Sequence, residues 1–173
     1  MPRALIVLLA VMSLAAGPCG YRRSGHGESL PRHIQTIAVP AFQNASARYK
    51  VEQRFTQAVM EEILKRSRRL AVVSEPQHAD AVLQGNIKGF HVAGVLLDNS
   101  GRTRVFQVTI TVSVTLRDQT SQQVIFNQPN YVFRGEYELA EDPASLFDEE
   151  DPAVDRIAKE FAQSLISTIL EGL

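Results

Sequence analysis

Arg104-Val105-Phe106-Gln107-Val108-Thr109-Ile110-Thr111-Val112-Ser113-Val114-Thr115-Leu116 decides how the rest of this chain must fold. Phe106, Val108, Ile110, Val112, Val114 and Leu116 take every second place. Gln107, Thr109, Thr111, Ser113 and Thr115 take the places between. A period of two sends the two sets to opposite faces of a strand. The intervening residues are polar and mostly small or β-branched, which suits a pleated surface that meets water. The stretch is the strand of a sheet with one dry face and one wet face. The dry face needs a cover.

Two helical stripes can supply it. Between residues 47 and 68, Val51, Phe55, Ala58, Val59 and Ile63 recur at helical spacing, and Met60 and Leu64 widen the stripe. Ser46 is the expected N-cap. Glu61 and Glu62 each have a base four residues on, at Lys65 and Arg66. Near the C-terminal end, Val154, Ile157, Ala158, Phe161, Ala162, Leu165, Ile166, Ile169 and Leu170 form one half of a second helix, with polar residues on the other half. Asp151 is its expected N-cap and Pro152 its first residue. The polar half lacks the Lys/Arg enrichment of helices that lie on membranes.

The remaining strands follow from punctuation. Residues 34–39 are a strand ended by Pro40, and residues 70–74 are a second. Strand, helix and strand in succession favour a parallel crossover. Residues 81–97 are apolar but interrupted by Gly85, Gly89 and Gly94, which predicts bulges or strong curvature. Residues 98–102 are a hairpin loop, and residues 118–122 are the next loop. The last strand, 123–139, contains Pro129, so it is broken there or lies at a sheet edge. The expected fold class is α+β: a two-layer sandwich with two helices on one face of a mixed, largely antiparallel sheet.

The chain has 173 residues, 18 basic and 19 acidic, and a single cysteine. One domain is expected at that length. The balanced charge gives no sign of a nucleic-acid partner. One cysteine excludes an intrachain disulfide and a Cys-rich metal site. Its position is informative. Arg3, an apolar run from Ala4 to Met12 and small residues up to Gly17 make a secretory leader. Cys19 stands where a bacterial lipoprotein carries its acyl chains, with Pro18 where such leaders usually have Gly, Ala or Ser. The expected organisation is a leader over 1–18, a lipidated tether over 19–32 and a single domain over 33–173.

Three clusters invite chemistry. The acidic run over 141–151 has no calcium-loop spacing and no loop glycine, and it suits the start of a helix. Lys65, Arg66, Arg68 and Arg69 crowd the end of the first helix. They complement the helix dipole or form a site for phosphorylated lipid headgroups, and the first is the commoner arrangement. His26, His33, His78 and His91 enter no Ser-His-Asp, HExxH or Cys-His pattern, so neither an enzyme nor a cofactor is expected.

Five segments carry a family resemblance. They are Cys19-Gly20-Tyr21, Ser29-Leu30-Pro31, Ile37-Ala38-Val39-Pro40-Ala41-Phe42-Gln43-Asn44, Ala79-Asp80-Ala81-Val82-Leu83-Gln84-Gly85-Asn86-Ile87, and the closing acidic stretch with its helix. In that order the chain resembles the LptE family of lipopolysaccharide-assembly lipoproteins, in its short form. The resemblance implies an outer-membrane lipoprotein on the periplasmic side, held by acyl chains on Cys19. It implies a plug in the lumen of a large β-barrel, LptD-like, and a role in lipopolysaccharide delivery. Gly20 after the cysteine agrees with sorting to the outer membrane. A lipopolysaccharide contact needs bases near phosphates, and Arg102 and Arg104 beside the hairpin tip are the candidates. The segment 37–44 is also similar to the first strand of TolB-type and penicillin-binding-protein-activator domains, which leaves a periplasmic regulator of envelope enzymes as the alternative.

Overall fold

Alternation along the central strand is realised as burial. In the computed structural model, which describes residues 30–138 and 146–171, Val108, Ile110, Val112, Val114 and Leu116 are buried. Gln107, Thr109, Thr111, Ser113 and Thr115 remain partly open to water. The elements in order are β1 (Thr36–Ala38), β2 (Gln43–Asn44), α1 (Val51–Arg66), β3 (Ala71–Val73), a short 3-10 turn (Pro76–His78), β4 (Ala81–Leu97), β5 (Thr103–Asp118), β6 (Val124–Glu138) and α2 (Leu146–Glu171). The six strands form one mixed sheet in the order β3-β1-β4-β5-β6, with β2 paired to β4. β1 runs parallel to β3 and β4, and the long strands β4, β5 and β6 are antiparallel. This is the expected α+β architecture.

Both helices cover the dry face, and one apolar cluster runs through the domain from Leu30 to Ile169. Phe161 of α2 is its aromatic centre. Its ring lies 5.1 Å from Phe55 of α1, 5.8 Å from Tyr131 and 6.0 Å from Phe133 of β6. The helices run side by side in the same direction, tied at two levels by Arg54–Asp155 (2.9 Å) and Arg66–Glu171 (3.1 Å). Tyr131 and Ser164 share a hydrogen bond of 2.7 Å between β6 and α2.

Several local expectations change. α1 starts at Val51, and Ser46 does not cap it; the N-cap residue is Lys50 in a left-handed conformation, φ 59°. Asn44 organises that corner instead. Its Oδ1 accepts from the amide and the hydroxyl of Ser46, and its Nδ2 donates to the Arg48 carbonyl and to Glu52. An Asn side chain that mimics a backbone turn competes with helix propagation, so the helix waits. Leu64 leaves the stripe and is 53% exposed. It lies well round the helix from Glu62 and Arg66, the side that meets α2. Lys65 reaches Glu62, not Glu61, at 3.6 Å.

The second helix also starts earlier than expected. It begins at Leu146, so Asp151 is not its N-cap and Pro152 lies inside it. Proline in a helix forfeits one bond to the carbonyl four residues back. That loss is tolerated here near the start, ahead of the long buried stripe. Residues 141–145 of the acidic run lie outside the described residues.

Glycine and proline mark real irregularities. The register of β4 against β5 shifts between Ile87 and Gly89, so Lys88 is an extra residue. Before the shift odd-numbered residues of β4 pair with the dry set of β5; after it Phe90 and Val92 do. The partner shift in β6 lies between Gln128 and Tyr131, at Pro129, and β6 is an edge strand. Both bulges sit at the level of Val112. Lys88 reaches across β5 to join them, donating to the Pro129 carbonyl (2.8 Å) and to Asn130 (3.2 Å). A bulge reverses which face a side chain meets, and two at one level keep the dry face continuous.

Candidate functional site

The sheet outruns its helical cover. β4 spans 17 residues, which is roughly 50 Å at about 3.3 Å per residue. Its first half holds the buried Ala81, Val82, Leu83 and Ile87, but from His91 to Leu97 every residue is exposed. The chain enters at the opposite end, where Leu30 and Ile34 are buried. Among the described residues the molecule thus has a packed base and a distal arm in which β4 is exposed, while Val108, Gly135 and Tyr137 beside it stay buried.

The arm combines apolar and charged groups. Val92, Val95, Leu96 and Leu97 are 43–61% exposed. Val92 pairs with buried Val108 on the dry-face side, and Leu96 pairs with Val105 on the other face. At the tip Asp98 folds the hairpin. Its Oδ1 accepts from the Ser100 amide and hydroxyl and from the Arg102 amide, at 2.6–2.9 Å. Gly101 takes φ +79°, which glycine adopts without strain. Hydrogen bonds from Ser100 and Arg102 hold the Asp98 carboxyl well below the usual carboxylate range.

Both candidate arginines stand on this arm. Arg102 donates from Nε to Asp98 (3.2 Å) and to the Ser100 hydroxyl (3.0 Å). Arg104 donates from Nε to Glu138 of β6. Gln107 donates to Glu136 on the same strand at 3.2 Å. Each arginine is therefore oriented by a carboxylate, and exposed pairs of this kind hold their geometry only weakly against water. A guanidinium has five donors, so a phosphate can bind beside its own carboxylate. The third candidate, Cys19, lies outside the described residues.

Sequence reading missed three features. The first is a cleft of about 310 Å³ on the wet face, lined by Gln43, Gln84, Asn86, Ser113 and Thr115 beside Pro40. The second is the apolar wall of a pocket at the base, where Leu30 and Leu170 meet Arg66, Arg68 and Arg69 of the basic cluster already expected there. The third is a polar clasp on the entering segment. Asp80 accepts from the amides of Gln35 and Thr36, each at 2.8 Å, and His33 pairs with Asp118 at 2.8 Å. No single stretch of sequence announces them, because each joins residues that are far apart along the chain. Among the described residues no group of His, Cys, Asp or Glu could hold a metal ion, and no helix is long and apolar enough to cross a membrane.

The clasp makes stability depend on acid. Burial alone raises the Asp118 pKa, but bonds from the Ser121 amide and hydroxyl, His33 and the Thr120 amide outweigh it and hold the value at about 2. Asp80 is lowered as well, by the amides of Gln35 and Thr36. A carboxylate with a folded pKa below its unfolded one stabilises the fold above the unfolded value, near 3.8, and loses that contribution as pH falls through the folded value. The melting temperature should fall steeply between about pH 4 and pH 2, and Asp118→Asn should flatten that slope. An unchanged slope in the variant would mean the clasp carries no linkage.

Comparison with known proteins places the fold. The chain matches the family model described as LptE, lipopolysaccharide-assembly, over residues 34–169. No curated protein matches the sequence. Among solved structures, a dodecamer of a PelC variant from Paraburkholderia phytofirmans has a similar fold at TM-score 0.52 and 14% identity, covering 84% of this chain and 95% of that one. A minor lipoprotein from Acinetobacter baumannii gives 0.51 at 8% identity, covering 81% and 95%. The rare lipoprotein B of Shewanella oneidensis gives 0.48 at 15% identity, covering 79% and 92%. Likeness at such identities speaks for fold alone, whereas the family match spans most of the sequence. This chain belongs to the LptE family of lipopolysaccharide-assembly proteins.

Proposed function

We propose that the protein is a non-catalytic lipoprotein of lipopolysaccharide transport, anchored to the periplasmic face of the outer membrane through acyl chains on Cys19. It plugs the lumen of an LptD-like β-barrel, assists that barrel's assembly and contacts lipopolysaccharide with its distal arm. One observation carries this reading within the family. At the end of the sheet farthest from the chain's entry, among the described residues, two arginines stand beside exposed Val95, Leu96 and Leu97 of β4. Lipopolysaccharide is itself part phosphorylated sugar and part acyl chain, so the arm presents a partner for each half. A barrel interior is polar and wet, which the hydroxyls and amides of the wet face suit.

The test separates anchor, barrel and ligand. A tagged chain should co-purify with a large barrel protein from outer membranes, and Cys19→Ser should leave the membrane fraction. Arg102→Glu/Arg104→Glu should weaken lipopolysaccharide binding about tenfold, the scale set by losing charge-assisted contacts of about 1.5–3 kcal/mol, with melting unchanged. Recovery as a free monomer under mild extraction, or capture of a peptidoglycan synthase instead of a barrel, would overturn the transport role. Undiminished binding by the double variant would move the ligand contact elsewhere.

A further inference from the structure

We propose that the basic pocket at the base of the fold binds the phosphate-bearing headgroup of an anionic phospholipid in the membrane that holds the tether. This rests on the anchored-tether reading above. The pocket is a hollow of about 310 Å³ where α1 ends and the chain turns toward β3. Arg66, Ser67, Arg68 and Arg69 form its polar wall, and Leu30 and Leu170 its apolar one.

The cations there are not equally occupied. Arg66 is held by Glu62 at 2.5 Å and Glu171 at 3.1 Å. Arg69 donates to the carbonyls of Arg32 and Ile34 and so fastens the entering segment. Lys65 is 69% exposed and stands 3.6 Å from Glu62, at the limit of an ion pair. Arg68 is exposed and makes no hydrogen bond or ion pair among the described residues. Arg68 on the pocket wall and Lys65 beside it are therefore the charges available to a ligand, and among the described residues the carboxylates paired with Lys65 and Arg66 are Glu62 and Glu171.

The helix dipole does not account for this excess. It amounts to about half a charge and fades within the last turn. The helix ends at Ser67, whose amide donates to Ile63 at 3.0 Å and whose own backbone is extended, φ −130°. Arg68 lies beyond the helix end. A guanidinium and a serine hydroxyl beside it suit phosphate oxygens.

Position argues for a lipid over a soluble anion. Ten residues lie between Cys19 and Leu30, which itself lines the pocket. That length reaches at most roughly 40 Å even when fully extended. It holds the base within that distance of the bilayer, whereas the distal arm lies roughly 50 Å of strand farther along. The leucine wall beside the cations fits the glycerol and first methylenes of a lipid. A headgroup site at the tether's end adds a second, electrostatic signal to the acyl anchor.

The test uses the mature chain as the cell makes it, held in an uncharged detergent. Dihexanoyl phosphatidylglycerol, dihexanoyl phosphatidylcholine and inorganic phosphate are titrated by calorimetry. Phosphatidylglycerol should bind at least about tenfold more tightly than the other two, with an affinity that falls as salt rises. Lys65→Glu/Arg68→Glu should lose about tenfold or more of that affinity, and Lys65→Gln/Arg68→Gln serves should the first fold poorly. Equal binding of both lipids, an unaffected variant, or phosphate binding as tightly as phosphatidylglycerol would each overturn the assignment. The mass of the N-terminus in the same sample keeps the two readings apart. An unacylated chain that still prefers phosphatidylglycerol overturns the anchor and leaves the pocket standing.

Discussion

Phe161→Ala is expected to lower the urea midpoint of unfolding by roughly 2 M, from a truncation cost of about 4 kcal/mol and a slope near 2 kcal/mol per molar. The size follows from the place of the ring. Phe161 is fully buried and touches α1 through Phe55 and the sheet through Tyr131 and Phe133. Removing it opens a void bounded by three other rings, and rigid aromatic walls do not collapse to fill it. The two edge-on ring contacts add roughly 0.5–1.5 kcal/mol each beyond burial. The slope itself should stay constant, since the folded and unfolded states change little in total area. A midpoint shift under about 0.5 M would mean that α2 does not rest on the sheet. The packed base and the exposed end of β4 would then both be wrong.

Gly85→Val is the second large effect, and two lines of reasoning give it opposite signs. Glycine inside a strand is costly and valine is a strong strand former, so propensity alone calls for a gain of up to about 1 kcal/mol. The structure calls for a loss. A Cβ at Gly85 would stand 2.6 Å from Cδ2 and Cε2 of Phe42, with Cζ at 2.7 Å. Phe42 is 3% exposed, and its amide donates to the Thr56 hydroxyl at 2.9 Å. That bond pins the backbone of Phe42, and the ring is packed in the core with little room to turn away. Overpacking of this kind costs about 1–3 kcal/mol, and a fall of roughly 1 M in the urea midpoint is expected. A rise in the midpoint would show that Phe42 has room to move.

Gly85 also shows where sequence reading stops. The glycine is legible as an irregularity, and a bulge is the natural expectation. The register shifts at Lys88, next to Gly89, and again at Val95, next to Gly94, whereas Gly85 is there for the ring of a residue forty-three places away. Pro129 carries its meaning locally, since β6 is an edge strand and shifts register at that point. Ser46 and Asp151 look like caps because both types cap helices. Local chemistry does not show that Asn44 already orders the first corner or that the second helix starts upstream of Pro152. At the site, Arg102 and Arg104 can be placed beside the hairpin tip, but the carboxylate of Arg104 cannot, because Glu138 lies on another strand. The clasp of His33, Asp80 and Asp118 leaves no trace in the sequence, its members being up to 85 positions apart.

The order of letters determined the periods: two along β5, three to four along both helices. From those follow the two layers, the identity of the buried faces and the α+β class, because burial of one face is a local demand that each segment writes into itself. Only the tertiary structure decided how far the helices reach along the sheet. That extent leaves β4 exposed from His91 to Leu97 among the described residues and brings Arg66, Arg68 and Arg69 together with Leu30 and Leu170 at the base. Coverage and proximity depend on where separate elements end against one another in space, and no segment carries that information by itself.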